Sequence, residues 1–379
     1  MINPLSLVFN LLPVKQNKIV FSNFNGRGYG CNPKYITDEI LQTNNKDLDI
    51  VWLSNEDPSE FPYGVRVVKW GTLRALYEWS TARVIVNNVR MGKYFSKGFI
   101  KKRKQVYIQT WHGSMGIKKM EADCNHLTEK YLHRSKCDSR NIDYLLSNSE
   151  WITKIYRRSF FYDGKILNTG NPRNDIFFKQ NLNSKIKKIK KILGVNENNK
   201  ILLFMPTFRD VATKNLLRDN VSSVMNELRN HLGKDWTIVL RSHPNHRMIA
   251  TANDIDASDY PDPQELLLAA DYLVTDYSSA AFDYLLTRKP CFLFVPDYDD
   301  YISTRGLYYP LTQTPFPIAK TTGQLIENIN SFNNEKYQGA ISSFLISKGS
   351  FDKGIASATV VNLIYSLLSN SKGTNQTPS

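Results

Sequence analysis

The residues with the clearest chemical potential lie in one short segment, just after an apolar strand-like run at residues 106–108. His112 stands there beside Gly113, with Lys118 and Lys119 a few positions later. An imidazole titrates near neutrality and can serve as a general base, while a neighbouring glycine lets a ligand approach the backbone. The segment favours removal of a proton from a hydroxyl that attacks a phosphate. A loop histidine held by local hydrogen bonds explains this segment alone equally well.

Four other polar clusters also follow runs that predict buried strands. They are Gly170 to Asp175, Pro206 to Asp210, Arg241 to Pro244, and Asp276 to Tyr284. In a parallel sheet, ligands bind at the carboxyl ends of the strands. One such cluster would mean little, but together with His112 they describe a pocket.

Cationic side chains in these clusters suit an anionic ligand. Arg241 and His243 alternate along an extended segment, so their side chains point the same way. They could hold phosphate oxygens or, in the plainer interpretation, neutralise a nearby aspartate. Arg173 lies in a loop bounded by glycine and proline, as a phosphate clamp or as a surface residue.

The pair Ser278 and Ser279 is expected to begin a helix. Free amides and hydroxyls at a helix N-terminus bind anions, although ordinary serine capping explains the pair as well. Asp283 follows Ser279 by four residues and therefore shares its helix face. Its carboxylate could accept hydrogen bonds from sugar hydroxyls or pair with Arg288 or Lys289.

Composition narrows the class of partner. The chain has 379 residues, 41% hydrophobic and 12% aromatic, with a formal charge of +14. This length predicts two globular domains, and the charge predicts an anionic partner such as nucleic acid, lipid headgroups or a phosphorylated substrate. The Lys and Arg runs, as at residues 97–104 and 185–191, are mostly interleaved with aliphatic residues. Nucleic-acid binders usually interleave aromatics, so no nucleic-acid partner is expected.

Several site classes are disfavoured. The four cysteines form no CxxC pair, which argues against a metal site and fits a reducing cytosol. The glycines at residues 26–30 are spaced GxGxG rather than GxGxxG, and no P-loop motif occurs. No apolar run reaches the length of a membrane span. The run at residues 4–12 lacks a basic flank, so it predicts a packed segment or one that dips into a membrane surface, rather than a signal peptide.

The order of apolar runs predicts the architecture. Short β-branched runs alternate with helix-like segments in both halves, which is typical of α/β domains with parallel sheets. A lysine-rich amphipathic helix is predicted near residues 185–193, and we place the domain boundary just before it. The predicted domains are residues 1–180, which carry His112, and residues 181–370, which bind the donor. Residues 371–379 are expected to be a disordered tail.

Taken together, the motifs resemble the CDP-glycerol glycerophosphotransferase family of teichoic acid biosynthesis. The resemblance rests on Gln109 to Gly113, Gly170 to Asp175, Pro206 to Asp210, Arg241 to Pro244, Thr275 to Asp283, and Lys289 to Tyr308. It extends from about residue 18 to about residue 365. It implies a GT-B fold, with two Rossmann-like domains whose parallel sheets face across a cleft, and a bacterial transferase that needs no metal or other cofactor.

The resemblance also implies residue roles. His112 matches the general base, and His243 is a second catalytic candidate. The donor-binding candidates are Trp111, His112, Gly113, Ser114, Met115, Arg173, Pro206, Thr207, Arg241, Ser242, His243, Ser278, Ser279 and Asp283. Ser114 and Met115 stand where Thr-Pro is usual, and Asn171 where Tyr is usual. Cleft details are therefore expected to differ, while donor chemistry is not.

The implied reaction is transfer of glycerol phosphate from CDP-glycerol to a hydroxyl of a lipid-linked saccharide or growing polyol-phosphate chain, with release of CMP. The expected acceptor is an undecaprenyl-diphosphate-linked saccharide, and the expected location is peripheral, at the cytoplasmic face of the cell membrane, on anionic lipid. The compact length is closer to a primase than to the large polymerases. Transfer from CDP-ribitol and a nucleotide-sugar glycosyltransferase on the same fold are the alternatives. A catalytically silent binding protein explains the charge, but not the polar clusters at strand ends.

Overall fold

The computed structural model describes residues 4–124, 127–207, 214–242 and 254–369. The chain forms two compact units. The first unit contains the described residues up to His112, then Glu121–Asp175, and then the segment from Ser350 onward. The second unit contains Gly113–Met120 and Ile176–Gly349.

Each unit is built on one parallel sheet. The strands are β1 Lys18–Ser22, β2 Asp49–Ser54, β3 Arg66–Lys69, β4 Val84–Asn87, β5 Val106–Gln109, β6 Tyr144–Ser147, β7 Lys165–Asn168, β8 Lys200–Phe204, β9 Trp236–Leu240, β10 Ile255–Asp256, β11 Tyr272–Thr275, β12 Cys291–Phe294 and β13 Ile318–Ala319. The central strands are almost wholly buried, as β1 and β12 are at every position. Burial on both faces explains why these strands read as continuous apolar runs in the sequence.

The strand order is the same in both units. The first sheet runs β3-β2-β1-β4-β5-β6-β7 and the second runs β10-β9-β8-β11-β12-β13. Counted within each unit, both begin 3-2-1-4-5-6, which is the doubly wound Rossmann order. The prediction of an α/β fold with two Rossmann-like parallel sheets is confirmed. The order reverses between β1 and β4 and between β8 and β11, so ligands are expected at the carboxyl ends of those strands.

Helices connect the strands. They are α1 Pro4–Leu11, α2 Cys31–Gln42, α3 Leu73–Thr81, α4 Gly92–Phe95, α5 Glu129–Ser139, α6 Glu150–Ser159, α7 Asn183–Leu193, α8 Lys214–Leu232, α9 Pro263–Ala269, α10 Ala280–Tyr284, α11 Tyr298–Arg305, α12 Thr322–Asn330, α13 Asn334–Lys348 and α14 Ala356–Ser369. Hydroxyl caps start several of them, for example Thr72 before α3 and Ser149 before α6. The predicted lysine-rich helix is present as α7, which ends at Gly194 in the left-handed conformation.

The last helix returns to the first unit. Val360, Val361 and Ile364 of α14 share a buried cluster with Ile36 and Ile40 of α2. An apolar helix face of this kind must be covered, and the first sheet's helical layer covers it. The division therefore differs from the sequence-based one, which assigned residues 181–370 to the second domain without this return.

No helix in the described part of the chain is both long and apolar enough to cross a membrane.

Candidate functional site

The site in the first unit is assembled at the reversal of strand order. β4 lies between β1 and β5, so the residues that follow these three strands come together. Asn88, just after β4, donates from Nδ2 to Oδ1 of Asn23, which follows β1, at 2.7 Å. The Asn88 Oδ1 atom accepts the amide of Phe24 at 2.9 Å. These contacts fix the backbone that faces the predicted base.

His112 follows β5 and contacts the segments that follow β4 and β1. Its Nδ1 atom lies 2.7 Å from the backbone carbonyl oxygen of Asn88. A carbonyl oxygen only accepts hydrogen bonds, so Nδ1 must carry the proton and the neutral ring must leave Nε2 unprotonated. The ring of Phe24 packs edge-on against the imidazole, with the ring centroids 5.1 Å apart. The arrangement presents one defined nitrogen, Nε2, as a proton acceptor.

The surroundings keep the imidazole neutral. Burial is the largest cause and lowers the pKa of His112 from 6.5 to about 4. The Asn88 carbonyl opposes this shift, the positive charge of Arg173 adds to it, and the charge of Glu121 opposes it. At neutral pH the ring is therefore available to accept a proton rather than to donate one.

The segment before His112 is held in an unusual conformation. Trp111 has a φ of 51°, in the left-handed region that bulky residues rarely adopt. Its amide donates to Oε1 of Gln109 at 2.9 Å, and its carbonyl accepts Nδ2 of Asn32 at 3.1 Å. The indole is 8% exposed and stacks on the imidazole, with the ring centroids 4.4 Å apart. Trp111, named above as a donor-binding candidate, thus also supports the base from within the fold.

Arg173 lies in a 3-10 turn at Pro172–Phe178 of the same unit. It is 4% exposed, its amide donates to Oδ1 of Asn32, and Nη1 lies 3.6 Å from the sulfur of Cys31. Because its charge acts on the pKa of His112, the arginine and the histidine belong to one electrostatic neighbourhood. The structure thus brings together two residues that stand 61 positions apart in the sequence.

Gly113, Ser114 and Met115 belong to the second unit, in the segment Gly113–Met120. Tyr309 donates its hydroxyl to the carbonyl of Met115 at 2.8 Å. Further along, Lys118 and Leu307 form an antiparallel bridge. Gly116 lies against Ser279, since a Cβ on that glycine would stand 3.5 Å from the serine Cβ. The segment that follows the base is thereby anchored to the serine cluster after β11.

The reversal point of the second sheet repeats the arrangement of the first. Asp276, just after β11, accepts the amide of Thr207 on both carboxylate oxygens, each at 3.0 Å. The hydroxyl of Thr275 donates to the carbonyl of Met205 at 2.6 Å. Pro206 is buried between these contacts. The predicted donor-binding residues Pro206 and Thr207 are therefore fixed by the neighbouring strand end.

Arg241 and Ser242 follow β9. The guanidinium of Arg241 donates from Nη1 to the carbonyls of Ala257 and Tyr260, at 3.1 and 2.6 Å. Burial lowers the pKa of this guanidinium, and Asp262 and Asp259 oppose the shift. The amide of Ser242 donates to Ser258 Oγ at 2.9 Å. One nitrogen of the Arg241 guanidinium is thus used in hydrogen bonds to backbone carbonyls. His243, the second catalytic candidate, lies outside the described residues.

Ser278 and Ser279 precede the short helix α10 as predicted. The Ser278 hydroxyl oxygen accepts the amide of Ala280 at 3.2 Å, and Ser279 is the N-cap residue without a side-chain cap bond. Asp283 is 3% exposed and accepts Nε2 of Gln264 at 3.4 Å. The alternative partner Lys289 donates instead to the carbonyls of Leu268 and Ala270.

Sequence reasoning missed three residues that organise the site. These are Asn23, Asn88 and Asp276 as a hydrogen-bonding partner of Thr207. The strand-end rule that selected His112 also applies to Asn88, since it follows the apolar run of β4. Among residues 4–124, 127–207, 214–242 and 254–369, no three His, Cys, Asp or Glu side chains are grouped as metal ligands. The expectation of a reaction without a metal stays a prediction.

Known proteins are similar to this chain in sequence and in architecture. The family described as CDP-Glycerol:Poly(glycerophosphate) glycerophosphotransferase matches residues 5–366. A teichoic acid poly(glycerol phosphate) polymerase of Bacillus spizizenii is 31% identical, over 93% of this chain and 93% of its own length. A teichoic acid glycerol-phosphate transferase of Staphylococcus aureus is 29% identical, over 94% and 95%. The chain spans 50% and 51% of the length of two further polymerases, from Bacillus subtilis and Staphylococcus epidermidis.

Solved structures agree. The wall teichoic acid polymerase TagF matches with a TM-score of 0.85 and 30% identity, over 97% of this chain and 94% of that chain. A TagF variant described with CDPG matches with a TM-score of 0.85 and 29% identity over the same shares. The likeness confirms the predicted GT-B type of α/β fold. Because the family match covers nearly the whole chain, the protein belongs to the CDP-glycerol:poly(glycerophosphate) glycerophosphotransferase family of enzymes.

Proposed function

We propose that the protein transfers glycerol phosphate from CDP-glycerol to a hydroxyl of a lipid-linked saccharide or growing polyol-phosphate chain, in teichoic acid or related cell-wall polymer synthesis. The single observation that carries the proposal is the state of His112. Its Nδ1 atom is occupied by the Asn88 carbonyl and its pKa is lowered to about 4, so Nε2 is a free base at neutral pH. The choice of CDP-glycerol as donor is supported by the family of this chain and by the names of its relatives.

The reaction is a substitution at phosphorus. His112 Nε2 takes the proton of the acceptor hydroxyl, while the hydroxyl oxygen forms a bond to the glycerol-side phosphorus. The bond between that phosphorus and the bridging oxygen breaks, and CMP leaves with the electron pair. A positioned general base contributes about 10²–10⁴-fold to such a step.

Binding of the donor improves the base. A nearby negative charge favours the protonated imidazole, so a pyrophosphate beside His112 would raise its lowered pKa. Arg173, whose charge lowers the pKa of the free enzyme, would then be neutralised by the same phosphates. The base therefore gains strength only when its substrate is present, which disfavours proton uptake by the empty site.

The donor phosphates need cationic and hydrogen-bonding partners as charge develops on their oxygens. The proposed partners are Arg173, Arg241, His243, Ser278 and Ser279. In this proposal they stabilise the transition state without a metal or other cofactor. The amide of Thr207, fixed by Asp276, orients the neighbouring backbone.

A lipid-linked acceptor requires access to a membrane surface. Leu7, Val8 and Leu11 of α1 are 62%, 61% and 86% exposed, and Ile100 is 58% exposed. The Ile100 amide donates to Oδ1 of Asn10, so this loop lies against α1 and its exposed Ile100 adds to the exposed apolar surface of the helix.

Charge complements this apolar face. Lys93, Lys97, Arg103 and Lys104 are exposed in the adjoining segment, and residues 4–18 and 91–105 contain no acidic residue. Apolar side chains flanked by cations suit an anionic lipid surface, at about 1 kcal/mol per cation near the surface. We therefore propose that the enzyme is peripheral, at the cytoplasmic face of the membrane, with an undecaprenyl-diphosphate-linked saccharide as acceptor.

Release of CMP tests the proposal. Wild-type protein and His112→Ala are each given CDP-glycerol or CDP-ribitol with a lipid-linked disaccharide acceptor. Acceptor-dependent CMP release from CDP-glycerol, lost by about 10²–10⁴-fold in the variant with donor binding retained, is expected. CMP release from CDP-ribitol but not from CDP-glycerol would show that CDP-ribitol is the donor. Release of a nucleoside diphosphate from a nucleotide sugar would show that the protein is a glycosyltransferase instead. Undiminished turnover by His112→Ala would contradict the role of the base.

A further inference from the structure

A buried charged cluster lies beside the base and takes no part in the chemistry proposed above. Its centre is Arg90, three residues after β4, whose side chain is 9% exposed. The guanidinium pairs with Glu121 at 3.0 Å and with Asp138 at 3.1 Å, and it also donates to the hydroxyl of Ser139 at 2.8 Å. The carboxylates of Glu121 and Asp138 are 3% and 0% exposed. One arginine thus pairs with two buried acids, so its removal would leave buried negative charge without this partner.

The first connection from Arg90 to the base is aromatic. Its guanidinium carbon lies 4.6 Å from the ring centroid of Phe160 and 5.7 Å from that of Trp111. The Phe160 and Trp111 rings pack edge to face at 4.7 Å. On the other side, Trp111 stacks on the imidazole of His112 at 4.4 Å. A cation held against an aromatic ring attracts it, and this layer fixes the surface on which the imidazole rests.

The second connection is a chain of hydrogen bonds. The amide of Trp111 donates to Gln109 Oε1 at 2.9 Å, and Gln109 Nε2 donates to the hydroxyl oxygen of Tyr107 at 2.7 Å. The Tyr107 hydroxyl donates to Asp138 Oδ1 at 3.3 Å, and Arg90 donates to the other oxygen of Asp138. Each donor from Trp111 to Tyr107 points toward the carboxylate, and an ionised Asp138 strengthens the chain because a charged acceptor binds a donor more strongly than a neutral one.

Arg90 maintains that ionisation. Burial raises the pKa of Asp138 to about 6, and the charge of Arg90 is the largest opposing cause. Without the guanidinium, burial would favour the neutral carboxylic acid, which is a weaker acceptor for the Tyr107 hydroxyl than the carboxylate is. The support that Tyr107 gives to Gln109, which accepts the amide of the left-handed Trp111, would then weaken.

We propose that Arg90 is a positioning residue, which fixes the Trp111–His112 pair through the aromatic layer and through the hydrogen-bond chain that ends at the Trp111 amide. It touches neither donor nor acceptor in this role. The inference rests on the proposed function of His112 as general base and extends it to the residues that aim the base. Misplacement of a catalytic group by about 1 Å can cost on the order of 10²-fold in rate, so the effect on turnover should be large.

The experiment compares Arg90→Met, Arg90→Lys and Tyr107→Phe with Arg158→Met. Arg158 also pairs with a carboxylate, Asp123, in the same unit, but its side chain is 59% exposed. For each protein, kcat and KM for CDP-glycerol are measured by CMP release. The tautomer of His112 is read from its imidazole ¹⁵N shifts, assigned with His112→Asn.

We expect Arg90→Met to lower kcat by about 10–100-fold while KM changes by less than about twofold. The Nδ1-protonated signature of His112 should give way to a mixture of tautomers. Arg90→Lys should recover part of kcat, Tyr107→Phe should show the same split with a smaller loss, and Arg158→Met should match wild type.

Unchanged kcat and unchanged His112 nitrogen shifts in Arg90→Met would overturn the proposal, as would a loss of kcat that follows only the fraction of folded protein. If Arg90→Met does not fold, Arg90→Lys and Tyr107→Phe decide, and wild-type values in both overturn it. Absence of CMP release by the wild type would instead refute the proposed function. The nitrogen shifts would still show whether Arg90 sets the tautomer.

Discussion

Replacing His112 by asparagine should change how stability depends on pH. The asparagine amide nitrogen can take the place of imidazole Nδ1 and keep donating to the Asn88 carbonyl, but it does not titrate. The pKa of His112 is about 4 in the folded protein and 6.5 as the reference for the unfolded chain. Between these values the unfolded chain binds a proton at residue 112 that the folded protein does not, so this group destabilises the wild type as pH falls.

The magnitude follows from the two pKa values. At about pH 7.5 the imidazole is neutral in both states and contributes almost nothing to the pH dependence. At about pH 5 the linkage relation gives a loss of about 2 kcal/mol for the wild type, absent from His112→Asn. This is an upper figure, because the imidazole is only partly buried and keeps some hydration.

Urea unfolding of both proteins at the two pH values measures the effect. Asp138 titrates in the same range with the opposite sign, because its pKa is raised to about 6 and its protonation favours the folded state as pH falls. Subtracting the variant from the wild type at each pH removes that contribution, since both proteins retain Asp138. A difference in unfolding free energy that stays the same, within about 0.5 kcal/mol, at both pH values would refute a depressed pKa at His112.

Three further predictions concern other parts of the fold. Asp175 accepts the amides of the first two residues of α14, so Asp175→Ala should cost about 1–2 kcal/mol in urea unfolding, and the exposed cap variant Asp57→Ala clearly less. Asp276→Asn replaces one acceptor of the Thr207 amide and should raise KM for CDP-glycerol about fivefold, with a smaller effect on kcat. Equal KM values in the variant and the wild type would contradict a role of Asp276 in holding the Thr207 backbone for the donor. Leu11→Asp should weaken sedimentation with anionic vesicles at least about tenfold, whereas Ile346→Asp, at a side chain 81% exposed, should not; equal losses would leave only a charge effect.

The central strands could be predicted because a strand buried on both faces needs a continuous run of apolar residues. Such runs coincide with β1, β4, β5, β8, β9, β11 and β12. β3, β10 and β13, which no continuous apolar run marks, are edge strands, and two of them have only two residues. Edge strands are short and partly polar, so they carry no comparable signal.

The return of α14 shows a different limit. Its apolar pattern predicts a buried helix, but the pattern does not state which sheet will cover it. Val360 and Ile364 pack on a core whose other members, such as Ile36, lie more than 300 positions earlier. Contacts at that separation depend on topology, which local pattern does not encode.

Asn88 shows why only part of the candidate site could be predicted from the sequence. The strand-end rule found His112 because an imidazole signals chemistry by its type, whereas an asparagine does not. The decisive contact is made by the main-chain carbonyl of Asn88, an atom that every residue has. The asparagine side chain matters because it ties this carbonyl to Asn23 and Phe24 after β1.

The tautomer of the base is therefore a property of strand order rather than of sequence motif. β4 lies between β1 and β5, which places the Asn88 carbonyl beside the His112 ring and the side chain of Asn88 beside the end of β1. A histidine in the same motif on a sheet of another order would keep its residue type but lose the carbonyl acceptor that holds the proton on Nδ1. In doubly wound sheets ligands bind where the strand order reverses, so the feature that orients the base is also the one at which a substrate is expected to bind.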